Sequence, residues 1–199
     1  KTKGVRTGNW LTKDQAQKMI NAPDITTLKG LRDRAILAIM IGGGLRRSEV
    51  ASLTFDKIQQ RDARWVISDM VGKGNRVRTV PIPVWAKVAI DEWAEAANLQ
   101  DGHVFRWVNR GGSLAGDGMT PQAIADTVKH YADKCNIEKL AAHDLRRTFA
   151  KLAKKANAPI DQIQLTLGHA SIATTERYLG TTQDLISAPC DTFDLHLRY

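Results

Sequence analysis

Cysteine is nearly absent from this chain: Cys135 and Cys190 are its two cysteines in 199 residues, and neither lies beside the other or beside a histidine-rich cluster. That excludes a disulfide framework and leaves no legible zinc ligand set, so both thiols are expected to be reduced. Long apolar runs are missing too. No stretch approaches the roughly 18 residues needed to cross a bilayer, and the polar, basic opening up to Trp10 has no apolar core of a secretion signal, so a cytoplasmic protein is expected. Low-complexity tracts, internal repeats, a glycine-rich phosphate loop and an acidic metal-binding cluster are all lacking, and no cofactor or metal is expected.

What the chain does carry is positive charge. Lysine and arginine number 29 against 21 aspartate and glutamate, a net charge of +8 at pH 7. A polyanionic partner is favoured, because cations that neutralise phosphates release condensed counterions. Apolar residues make up 43% of the sequence, enough for a packed domain. Their spacing has the helical period over 11–20, 28–41, 84–97, 121–135, 144–156, 160–167 and 172–178. Thr12 is placed to cap the first helix and Ser48 to cap a short one ending at Leu53, while Gly42-Gly43-Gly44 is expected to stop the second. Strand-like runs occupy 57–59, 65–70 and 76–82, parted by Arg61-Asp62 and Gly72-Lys73-Gly74-Asn75. The stretch 111–118 reads as a flexible loop. The fold class expected is mainly α with a small antiparallel β-sheet, α+β, as one domain over 10–180. The tail 181–199, with Leu185, Ile186, Phe193, Leu195 and Leu197, is too apolar to hang free.

His143-Asp144-Leu145-Arg146 sets an imidazole and a guanidinium three positions apart, where one helix face lets both reach a single phosphate. The spacing is cheap alone, since His103-Val104-Phe105-Arg106 repeats it. Only the pair at 143 and 146 has a matching sequel downstream: Leu167-Gly168-His169, and then Tyr178 nine residues after His169. Upstream stand Gly44-Leu45-Arg46-Arg47-Ser48-Glu49 and the run from Gly72-Lys73-Gly74-Asn75 through Arg76-Val77-Arg78-Thr79-Val80-Pro81. These four blocks, in this order across residues 44 to 178, resemble those of the tyrosine recombinases, the lambda-integrase family.

The resemblance implies an integrase catalytic-domain fold, with Arg46, Lys73, His143, Arg146 and His169 gathered round one phosphate and Tyr178 as nucleophile. Each role has a physical basis. Arg46 and Arg146 offer planar forks of donors to the non-bridging oxygens. Their charge favours the phenolate of Tyr178, whose free pKa would be about 10. Attack leaves a 3′-phosphotyrosine bond that a 5′-hydroxyl can reverse without ATP or metal. Lys73 is implied as general acid, His143 as general base or proton shuttle, and His169 as a hydrogen-bond donor to the phosphate. Tyr131 reads as a core or rim residue, and Tyr199 follows no matching block.

Arg47, Arg76, Arg78 and Arg147 are candidates for DNA-backbone contact, Arg76 and Arg78 as the outer basic face of a strand whose reverse packs inward. Glu49 is expected to act in structure. The implied partner is double-stranded DNA, with a homotetramer on DNA working through a Holliday junction and a monomer as the isolated domain. The implied setting is a bacterial or phage-encoded, nucleoid-associated enzyme. The N-terminal domain with which such enzymes clamp DNA is not among these residues, so 1–9 reads as the end of an interdomain linker. The tail is expected to pack on its own core or on a neighbouring protomer. Two alternatives stand beside this reading: a type IB topoisomerase relaxing supercoils by the same chemistry, and a DNA-binding module without catalysis.

Overall fold

Thr12 starts the first helix, α1 (Lys13–Ile20), as expected. Its hydroxyl accepts from the Gln15 N–H while the Gln15 side chain accepts from the Thr12 N–H, a reciprocal cap that satisfies two donors left open at a helix start. The computed structural model describes residues 9–71, 77–168, 188–191, 193 and 195–199. Residues 1–8 of the linker expected over 1–9, the helix expected over 172–178, and Lys73, Arg76, His169, Tyr178, Leu185 and Ile186 lie outside the described residues.

The second helix, α2 (Leu28–Gly43), is buried without a break from Arg32 to Gly43. A helix that is apolar over most of its circumference must be enclosed. Here α1, α3 (Arg47–Ala51), α4 (Val84–Ala96), α5 (Pro121–Lys134) and α6 (Ala142–Lys155) surround it. Its buried charges are paired: Asp33 with Arg32 and Lys29, and Arg34 with Glu92 of α4. The glycine triplet does not stop α2 where expected, because Gly42 and Gly43 remain helical. A Cβ at Gly42 would lie 2.8 Å from Pro83 Cγ and 2.9 Å from the Trp85 ring, so glycine there permits close packing. Only Gly44, at φ +62°, turns the chain out of the helix. The residue capping α3 is Arg46 rather than Ser48.

Strands β1 (Ile58–Arg61), β2 (Arg64–Val71) and β3 (Val77–Pro81) form an antiparallel sheet in that order. Asp62 and Ala63, at φ 49° and 58°, make the two-residue turn from β1 to β2, the sense that matches strand twist. Ile67 pairs with Val80 across β2 and β3, and both are buried. Arg78 has the parity of Val80 and so faces inward, 9% exposed, while Val77 faces out at 61%. That corrects the reading of Arg78 as an outer, backbone-tracking cation: side chains two apart on a strand share a face.

The stretch expected as a flexible loop holds part of a hairpin, β4 (Trp107–Val108) paired with β5 (Leu114–Ala115). The last described helix, α7 (Ile160–Leu167), lies against β3 and α6. Beyond it, Ala188, Cys190, Phe193 and Leu195 are buried in the chain's own core. Phe193 meets the Phe149 ring edge-on at 6.2 Å, and the Arg198 N–H donates to Asn21 Oδ1 at 3.0 Å. The described part of the tail thus docks on its own chain. The architecture is mainly α with small antiparallel sheets, and no helix among the described residues is long and apolar enough to cross a membrane.

Candidate functional site

Two helices end at one guanidinium. Arg146, in the second turn of α6 and 3% exposed, donates from Nη1 to the Gly44 carbonyl at 2.8 Å and from Nη2 to the Leu167 carbonyl. Gly44 closes α2 and Leu167 closes α7, so carbonyls left open at two helix C-termini, the negative ends of their dipoles, face this cation. They do not neutralise it. Burial first, then the charges of Arg46 and Arg78, push the Arg146 guanidinium down to about 9, with Glu49 opposing. It remains a cation at neutral pH that would gain from an anion.

The bend that brings the Gly44 carbonyl to Arg146 requires glycine. At φ +62° an L side chain is strained by about 1–2 kcal/mol, and a Cβ would sit 2.9 Å from both Leu167 Cδ2 and Phe149 Cδ1. Overpacking of this kind adds about 1–3 kcal/mol. Gly44→Ala should therefore cost about 2–5 kcal/mol in urea unfolding, and a midpoint equal to that of the parent would contradict the strain.

Glu49 is the second hub. Its carboxylate accepts from the Arg46 N–H at 2.8 Å and from Arg46 Nη1 at 2.7 Å, starting α3 and orienting Arg46 together. Arg78 grips the same carboxylate with both Nη atoms, at 3.1 and 2.9 Å. Burial alone would raise the Glu49 carboxyl; the hydrogen bonds and charge of Arg78, with help from Arg46, outweigh it and hold the group below its usual range. Arg46 keeps 31% of its side chain exposed, so only part of its fork is committed to Glu49.

His143 lies in the first turn of α6, where the Ala141 N–H donates to Asp144 Oδ2 at 2.9 Å. Partial desolvation, then Arg147 and Arg146, lower its pKa against the pull of Asp144. The imidazole is consequently neutral at pH 7 and able to accept a proton. His143 is exposed to solvent as a residue, within reach of a guest in the groove.

Arg46, His143 and Arg146 line one open groove of about 490 Å³. Arg47, Gln122, Asp126 and Lys129 share its wall. Arg47 is exposed and reaches Gln122 at 3.5 Å, whereas Arg147 is exposed and paired with Asp144 at 3.0 Å. The groove offers two partly uncommitted guanidiniums, a neutral imidazole and a lysine to a guest with anionic oxygens. Sequence reasoning missed Gln122 and Lys129. Their signal was present, since positions 122, 126 and 129 fall on one face of α5. It missed the inward role of Arg78 as well, which the parity shared with Val80 would have revealed.

Comparison with known proteins bears on this groove. The model of the phage integrase family matches residues 9–184. Tyrosine recombinase XerC of Myxococcus xanthus is 33% identical over 182 residues, covering 87% of this chain and 58% of that protein. Tyrosine recombinase XerD of Ralstonia nicotianae is 34% identical over 180 residues, covering 87% of this chain and 56% of that protein. The chain thus spans little more than half the length of these relatives. The solved integrase of mycobacterium phage Brujita superposes with a TM-score of 0.71 at 18% identity, covering 98% of this chain and 61% of that one, a likeness of fold. With the family match running across α1 to α7 and over the residues that build the groove, the chain belongs to the phage integrase family.

Proposed function

We propose that this chain is the catalytic part of a site-specific recombinase that cuts and rejoins double-stranded DNA through Tyr178. The Tyr178 Oη attacks the scissile phosphorus, forming a P–O bond to the phenol as the bond to the 5′-oxygen breaks. His143, held neutral by its neighbours, takes the phenolic proton, and the Lys73 ammonium gives one to the departing 5′-oxygen. Arg46 and Arg146, with His169, bind the non-bridging oxygens, where negative charge builds up in the transition state. One bond is exchanged for another of similar energy, so the 5′-hydroxyl of a partner strand reverses the step without an energy source. Exchange between two duplexes proceeds through a Holliday junction held by a tetramer, while Arg47, Arg76 and Arg147 contact the DNA backbone.

The observation that carries the reading is the meeting of Arg46, His143 and Arg146 in one open groove of a chain of this family. The test begins with selection of bound duplexes from a random library. A nicked duplex of the selected sequence is then offered, so that the cleaved end diffuses away and traps any covalent complex. A protein–DNA adduct surviving denaturation is the expected result. Binding without an adduct would sink the proposal in favour of a non-catalytic DNA-binding module.

A further inference from the structure

Arg78 is a buried cation with no part in the proposed bond exchange. It stands on β3, which continues directly from the 72–76 segment bearing Lys73. Its Nη atoms hold both oxygens of Glu49, and its Nε donates to the Thr166 carbonyl at 2.9 Å, in the last turn of α7. A Cβ on Gly168 would lie 2.8 Å from Arg78 Cδ, so its stem also packs against the residue preceding His169. One side chain therefore touches three segments: that of Arg46 through Glu49, the strand leading from Lys73, and the helix end leading to His169.

We propose that Arg78 is a positioning residue for DNA cleavage, keeping the Glu49 carboxylate from neutralising Arg46 while fixing the end of α7 against β3. The charge count makes the first part concrete. Arg46 and Glu49 alone sum to zero; with Arg78 the trio carries +1, and Arg146 raises the group to +2. The geometry agrees, since Arg78 takes both carboxylate oxygens and Arg46 gives only one Nη and its backbone N–H. Without Arg78, Glu49 is free to close on the Arg46 fork and occupy the donors meant for phosphate.

The inference rests on the recombinase reading, and the test keeps the two apart. The unsubstituted protein must first form its adduct on the nicked duplex; failure there removes the reading and the inference together. Arg78→Met is then expected to slow single-turnover cleavage at saturating DNA by about a hundredfold, the scale of a misplaced catalytic group, with DNA affinity almost unchanged. Adding Glu49→Gln to Arg78→Met should recover about tenfold of that loss, because the amide cannot cancel the charge of Arg46. A purely structural role would give no such recovery. Parent-like cleavage by Arg78→Met, a rate loss matched by lost affinity, or a double variant no faster than the single would each overturn the inference. Should Arg78→Met fail to fold, Arg78→Lys keeps the charge and the stem but not the fork. It is expected to cleave about tenfold slower with unchanged affinity, and cleavage at the parent rate would overturn the inference.

Discussion

A Tyr178→Phe chain is expected to bind DNA as the parent does and to form no covalent adduct, while Tyr131→Phe and Tyr199→Phe still form it. Phenylalanine has no oxygen to attack phosphorus, so the loss should be complete rather than partial. The surroundings of the other two tyrosines argue against either as a substitute nucleophile. Tyr131 is 4% exposed and donates its hydroxyl to Asp33 Oδ2 at 3.1 Å. Burial and the Asp33 charge push its phenol far above the usual range, so its phenolate is out of reach. Tyr199 is raised as well, first by a hydrogen bond to Glu92, and its ring stacks near Arg34 at 5.2 Å. Neither lines the groove that holds Arg46 and Arg146. Denaturing electrophoresis of the trapped complex decides the matter: an adduct from the Tyr178→Phe chain would remove Tyr178 as nucleophile.

Arg146→Met should separate activity from stability. Cleavage is expected to fall about a thousandfold, the upper range for removing one preorganised donor from a developing charge. Stability should change by no more than about 2 kcal/mol, because two opposing terms are of similar size. The substitution deletes charged hydrogen bonds to the Gly44 and Leu167 carbonyls, each contributing about 1.5–3 kcal/mol. It also removes a buried cation held near Arg46 and Arg78, whose desolvation costs several kcal/mol. Methionine fills much of the vacated space and carries no charge. Single-turnover cleavage and urea unfolding on the same sample test this. Less than a tenfold drop in rate would mean that Arg146 does not face the reacting phosphate.

Much of the helical framework was legible because its determinants are local. The cap at Thr12 needs only Gln15, and the helix over 160–167 needs only its own period and the glycine that ends it. The Ile67–Val80 core of the sheet follows from alternation within each strand. The glycine triplet misled, since whether a glycine ends a helix or admits a neighbour depends on Pro83 and Trp85, some forty positions away. The 111–118 stretch misled for a related reason: two-residue strands such as β4 and β5 are too short to show an alternation.

By itself the sequence named the candidates for the site, because residue types at set distances along the chain carry chemistry before any fold is known: a histidine and an arginine three apart at 143 and 146, and a tyrosine nine beyond His169. Tertiary structure alone decided which cations the guest would meet. Arg78 and Arg146 are both buried arginines in matching blocks, yet one is spent on Glu49 while the other rests on two helix-end carbonyls that leave its charge in place. The physical reason is that charge compensation depends on distance in space. The partners of both arginines come from segments 29 to 102 positions away except for the Leu167 carbonyl, 21 away, and no reading of neighbours along the chain reaches them.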